Sequence, residues 1–251
     1  MLYAIVAIII FVASFLFAML GLGGGMVYVP VLTLAGFDVK EVAIPLGLLL
    51  NGLNTLLALI PFARKKLVDW KGGAAMALAA LLLSPIGAYT AKYVSKDILM
   101  IIFAVVVVVA AIRMIFTAKQ ADPETIMSLK KRSIYGAYIG AFAGFMGGLL
   151  GLGGGFIIAP FLMWMGYKTK QAAATSAYVV TFSSFSGYFG HIAQGHFEWK
   201  LGVVLVVAVI IGSQVGGRFL TNQAKSKQVK IVYAIVLLII AFKMILEVVY
   251  K

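Results

Sequence analysis

The sequence predicts an all-α membrane protein: a polytopic bundle of transmembrane helices built from two inverted repeats, each a glycine-tipped broken helix hairpin followed by three full spans. Three observations predict it. First, 63% of the 251 residues are hydrophobic and 12% are charged, with a mean hydropathy of +1.07, whereas soluble domains carry about 25% charged residues. Second, several apolar runs reach the ~20 residues that cross a bilayer as a helix, and none alternates like the ~10-residue strands of a membrane barrel. Third, the sequence repeats itself at an offset near 130.

Apolar runs between charged or glycine-rich breaks place segments at 2–20, 26–36, 42–63, 72–91, 98–116, 134–150, 156–166, 172–193, 201–220 and 229–250. The first lacks the basic flank of a cleaved signal peptide, so it reads as a retained membrane segment. Gly21, Gly23, Gly24 and Gly25 break it from the second, since each glycine costs about 1 kcal/mol against Ala in a helix interior. Segment 42–63 ends at the basic loop 64–71, and 72–91 at the charged loop 92–97. Segment 98–116 runs into a polar linker, 117–133, holding Asp122-Pro123-Glu124 and Lys130-Lys131-Arg132. The second half repeats the order: Gly151, Gly153, Gly154 and Gly155 interrupt the hairpin 134–166, and three spans follow. Repeat 1 is thus 1–116 (hairpin 2–36) and repeat 2 is 134–251. No soluble domain of useful size is left over, so any chemistry lies within the membrane.

The repeat is read residue by residue. At an offset of 130, Gly21 matches Gly151, Pro30 matches Pro160, Gly36 matches Gly166 and Lys40 matches Lys170. Asp69-Trp70-Lys71 matches Glu198-Trp199-Lys200 at 129, and both read as interfacial anchors. Paired repeats with helices interrupted at corresponding positions point to a transporter binding site. Loop charge tests their relative orientation. If each glycine motif is the tip of a hairpin that enters and returns on one side, the linker is cytoplasmic and the cytoplasmic loops hold 15 basic residues against 6 outside. If each hairpin crossed once, the split would be 12 to 9. The positive-inside rule favours the first arrangement, in which the repeats are inverted. The same rule accounts for the net charge of +13, whose basic residues are scattered among loops, so no nucleic-acid partner is expected.

The chain has no cysteine, which excludes disulfides, thiolate metal sites and cysteine nucleophiles. His191 and His196 miss the i, i+4 zinc-helix spacing and have no membrane carboxylate beside them, so neither a metal site nor hydrolysis is expected. A dinucleotide loop is excluded too, because Met26 or Phe156 occupies the sixth position and no strand precedes it. No cofactor is expected.

Two features carry chemistry. Gly136, Gly140, Gly144 and Gly148 form a small-residue packing stripe, but three consecutive glycines, Gly23-Gly24-Gly25 and Gly153-Gly154-Gly155, exceed what close packing requires. Where a short helix begins at Met26 or Phe156, its first N–H groups lack intrahelical partners and carry the positive end of the helix dipole. Two such ends near the midplane would bind an anion; the alternative is a purely structural break. The second feature is a polar stripe, Tyr178, Thr181, Ser184, Tyr188 and His191, at helical spacing within 172–193. In the first repeat Thr181 corresponds to Asn51 and Ser184 to Asn54, while Pro61 replaces His191. The stripe serves either ligand contact or interhelical hydrogen bonding, the latter worth about 0.6 kcal/mol per contact. No span has an Asp or Glu near its middle, so a carboxylate relay is not expected.

The duplicated Gly-Leu-Gly-Gly-Gly with its following proline, Ala-Ala-Ala-Thr175-Ser176 at the head of a span, and Gly190-His191 beyond it resemble the sulfite exporter TauE/SafE family over essentially the full length. The resemblance implies a multi-pass inner (plasma) membrane transporter of small sulfur-containing or carboxylate anions such as sulfite, a sulfonate or sulfoacetate. In that reading the half-helix N-termini cradle the anion, and Thr175, Ser176, Asn51 and Asn54 complete its hydrogen bonding. Pro45-Leu46 stands where the second half has Thr175-Ser176, so the two halves contribute differently. An anion channel and a non-transporting structural or signalling membrane protein are the alternatives. The expected partners are the anion and the bilayer, for a monomer or homodimer.

Overall fold

The structure, a computed structural model, describes residues 2–91, 125–192 and 199–225, with scattered positions between 93 and 123 and between 227 and 242. The expected spans 98–116 and 229–250 and most of the linker lie outside the described residues. Eight α-helices are described: α1 Leu2–Leu20, α2 Gly25–Leu34, α3 Ile44–Arg64, α4 Trp70–Thr90, α5 Leu129–Leu150, α6 Gly155–Trp164, α7 Thr169–Ile192 and α8 Trp199–Asn222. A π-helical turn, Val39–Ala43, leads into α3, and no strand occurs among the described residues.

The helix breaks fall where the glycines predict them. Gly151 ends α5 in the left-handed region at φ 74°, the usual glycine stop. Asp69 caps α4, accepting a 2.8 Å hydrogen bond from the Gly72 N–H. At two other starts apolarity proved a poor guide: α5 begins at Leu129 and includes Lys130, Lys131 and Arg132, and α7 begins at Thr169. Lys and Arg are good helix formers, so hydropathy marks where hydrocarbon begins rather than where the helix does.

Among the described residues, five helices are long and apolar enough to cross a membrane: α1, α4, α5, α8 and the segment Glu41–Arg64. With ten residues each, α2 and α6 extend about 15 Å, half the hydrocarbon thickness. Ile8, Leu78, Leu82, Ile86, Val207 and Ile211 are exposed, as suits surfaces turned to lipid.

Small residues set the helix pairing. A methyl added to Gly140, Gly144 or Gly148 of α5 would fall 2.2, 2.5 or 1.9 Å from main-chain atoms of Met76, Ala80 and Ser84 on α4, which runs parallel to it. Gly212 and Gly216 of α8 press in the same way on the carbonyls of Phe11 and Phe15 of α1. Gln214 of α8 donates to the Leu57 carbonyl and Gly217 meets Ala58 and Pro61, so α8 also runs parallel to α3. Gly73 meets Thr175 and Gly190 meets Ala88, so α4 runs parallel to α7. Between these groups α3 and α7 are antiparallel, with Asn51 opposite Ser184 and Thr55 opposite Thr181.

Candidate functional site

The turns at Leu20–Gly25 and Leu150–Gly155 approach each other in the middle of the protein. Gly21 and Gly23 in the first, and Gly151, Gly153 and Gly154 in the second, have φ between 65° and 78°, values that a side chain would strain. A methyl on Gly25 would lie 3.1 Å from the Gly151 carbonyl oxygen, and one on Gly155 only 2.2 Å from the Leu22 carbonyl oxygen.

Asn51 of α3 reaches into this junction. Its Oδ1 accepts a 2.8 Å hydrogen bond from the Gly25 N–H, at the N-terminus of α2, and its Nδ2 donates to Ser184 Oγ at 2.7 Å. A methyl on Gly23 would strike its Oδ1 at 2.1 Å, and one on Gly153 its Nδ2 at 2.2 Å. The structure therefore brings Gly23, Gly25, Asn51, Gly153, Gly155 and Ser184 together. Met26 and Phe156, in the first turns of α2 and α6, are buried beside them. Gly24 is backed by the ring of Tyr28, whose hydroxyl shares a 2.6 Å hydrogen bond with Ser14, and Gly154 by the Ala143 carbonyl.

The other sequence-predicted residues divide. Thr181 Oγ1 lies 2.9 Å from Thr55 Oγ1 and 2.7 Å from the Ala177 carbonyl. His191 Nε2 donates to the Gly148 carbonyl at 3.1 Å. Both act in interhelical bonding, as does Ser184 towards Asn51. Thr175 Oγ1 accepts from the Asp69 N–H at 3.1 Å, at the α4 cap and not at the glycine turns. Asn54 and Ser176 are wholly buried, yet Asn54 Oδ1 and Nδ2 and Ser176 Oγ have no hydrogen-bond partner among the described residues. Such groups are costly.

Sequence reasoning missed Ser183, whose hydroxyl donates to the Gly153 carbonyl at 3.1 Å, and Ser84, which donates to the Ser183 carbonyl at 2.8 Å. A serine inside an apolar run is itself the signal that would have found them. It also missed an ionic cluster. Arg132 pairs with Asp69 and donates to Tyr167 Oη at 3.1 Å, and Tyr167 donates to Asp69 Oδ2 at 2.9 Å. Burial, opposed by the Arg132 guanidinium, pushes the Tyr167 phenol up to about 12, so it remains a donor at neutral pH.

The geometry is that of two interrupted helices converging on a buried polar junction. Residues 6–244 match the family described as Sulfite exporter TauE/SafE. The chain is 28% identical to the probable membrane transporter protein YunE of Bacillus subtilis over 98% of both chains. It is 30% identical to a probable membrane transporter protein of Haemophilus influenzae over 79% of this chain and 78% of that one. Over 31% of this chain and 16% of the other, it is 36% identical to sulfite exporter TauE/SafE family protein 3 of Arabidopsis thaliana. No solved structure matches it. Because the family match spans both glycine turns and nearly all of the described helices, this chain belongs to the sulfite exporter TauE/SafE family and is a multi-pass membrane transporter.

Proposed function

We propose that the protein is an inner-membrane exporter of a small sulfur-containing or carboxylate oxyanion, such as sulfite, a sulfonate or sulfoacetate, working by alternating access with the anion held at the N-termini of α2 and α6. The observation that carries this reading is the 2.8 Å hydrogen bond from the Gly25 N–H to Asn51 Oδ1. A half-helix N-terminus there offers its donor to a side-chain oxygen at the junction of the two turns. An oxyanion oxygen can take that place when the amide rotates, adding the charge that the helix dipole favours. Asn54, one turn along α3 from Asn51, supplies buried polar atoms that a ligand would satisfy.

Alternating access is supported by helix direction. In one direction run α1, α3 and α8, and in the other α4, α5 and α7, so α1, α3 and α4 oppose their repeat counterparts α5, α7 and α8. Inverted repeats built this way rock about a fixed midplane site. An inside-negative potential drives a monoanion outward by about 2.3 kcal/mol per 100 mV, which supports export without a coupling ion. Sulfite as substrate rests on the family description and the name of the Arabidopsis relative.

The test is counterflow in proteoliposomes with sulfite, sulfoacetate, taurine and acetate, with and without a pH gradient. Saturable exchange of at least one of the anions is expected. Flux that does not saturate would mean a channel, and no flux with no thermal stabilisation by any anion would overturn the proposal.

A further inference from the structure

Away from the glycine turns, the loop before α4, the first turn of α5 and the loop between α6 and α7 converge on a cavity of about 360 Å³. Its lining includes Lys66, Asp69, Arg132, Tyr167, Lys168 and Gln171. The volume lies within the ~300–1,000 Å³ of small-ligand sites. Three of these residues are cationic and one is a carboxylate, and the carboxylate is already engaged by Arg132, Tyr167 and the Gly72 N–H. Among the described lining residues, what remains towards the cavity is positive.

The geometry of Arg132 is what suits this cavity to a ligand. The Arg132 side chain is only 14% exposed, and its Nε–H is buried with no acceptor among the described residues. A guanidinium fixed by Asp69 and Tyr167 at the cavity wall is preorganised for an oxygen of a tetrahedral anion.

We propose that this cavity is a second oxyanion site that takes a phosphate- or sulfate-type group, independent of the site between the glycine turns. The group would bridge Lys66 of the first half to Arg132 and Lys168 of the second, tying the halves together at this end of the bundle. Its source is either a free oxyanion or the headgroup of an anionic phospholipid, which basic pockets between membrane helices accept.

The experiment uses the full chain in phosphatidylcholine nanodiscs, titrated with sodium phosphate and sodium sulfate against sodium chloride at matched ionic strength, and reads the thermal unfolding midpoint. At a hundredfold excess over Kd the midpoint should rise by about 5–10 °C. K66Q/K168Q changes two exposed side chains, so it should keep its anion-free midpoint and lose the rise; Lys168→Gln alone should weaken it. N54L, at the proposed central site and outside this cavity's lining, should keep it. A second arm adds phosphatidic acid to the disc: a rise from the lipid, with phosphate then adding little, assigns the headgroup, and a rise from phosphate alone assigns the free anion. No rise in either arm, or the same rise in K66Q/K168Q, overturns the proposal.

Discussion

The two glycine turns share one sequence, Leu-Gly-Leu-Gly-Gly-Gly, yet they are closed by different means. In the first, Gly24 has φ −100° and the donor at the head of α2 is taken by a side chain from another helix, Asn51. In the second, Gly154 is left-handed at φ 78° and lies against the Ala143 carbonyl, while Ser183 holds the Gly153 carbonyl. The repeat counterpart of Asn51 is Thr181, which bonds Thr55 instead. The motif therefore grants permission, for left-handed backbone and close approach, and the helices around it decide how the exposed donors are used. In the first turn the occupant is a side-chain amide, which in the proposed reading gives way to the ligand.

The largest effect should come from forcing this asymmetry with a single methyl. Gly155→Ala places its Cβ 2.2 Å from a main-chain oxygen, which cannot move without parting the two turns, whereas Gly25→Ala meets its neighbours at 3.1 Å. Gly155→Ala should cost stability at or beyond the upper end of the ~1–3 kcal/mol typical of overpacking, and Gly25→Ala well under half of that. Thermal unfolding midpoints in detergent check it; equal losses at the two sites would mean the turns are equivalent after all.

Next in size is the capping side chain. Asn51→Ala leaves the Gly25 N–H and Ser184 Oγ without their partner, a loss of about 1–3 kcal/mol. The counterpart, Thr181→Ala, removes one interhelical contact of roughly 0.6 kcal/mol. Unfolding midpoints of the two variants should rank in that order. A reversed order would place the critical cap in the second half.

What the sequence made legible is the part written in local chemistry. The helix breaks at Gly21–Gly25 and Gly151–Gly155, and the packing stripe at Gly140, Gly144 and Gly148, follow from what glycine permits. The polar stripe on α7 was visible from its spacing, but its partners were not: Asn51 and Ser184 are 133 positions apart, and nothing local says they touch. Asp69 read as an interfacial anchor because its neighbours are Trp70 and Lys71. Its pairing with Arg132 and Tyr167, 63 and 98 positions away, exists only once the halves have packed. Arg132 was further hidden by lying in a stretch read as linker, which hydropathy separates from α5 although the helix includes it.

The smallest effect on stability should fall on the residue of the proposed site whose polar side-chain atoms make no bond among the described residues. Asn54 is the repeat counterpart of Ser184, which holds Asn51, yet its own amide atoms meet no partner among the described residues although wholly buried. Asn54→Leu keeps a similar volume and removes an unsatisfied polar group, so the midpoint should stay within about 1 kcal/mol of the parent or rise, because no hydrogen bond is broken and the desolvation of the amide is relieved. Anion counterflow, by contrast, should fall steeply. The two readings separate a ligand contact from a structural one: a destabilised N54L would show that the amide already has a bonding role, and a stable N54L with parental counterflow would remove Asn54 from the site. The same pair of measurements on Asn51→Ala should show both losses together, because that amide both caps α2 and stands where the anion enters.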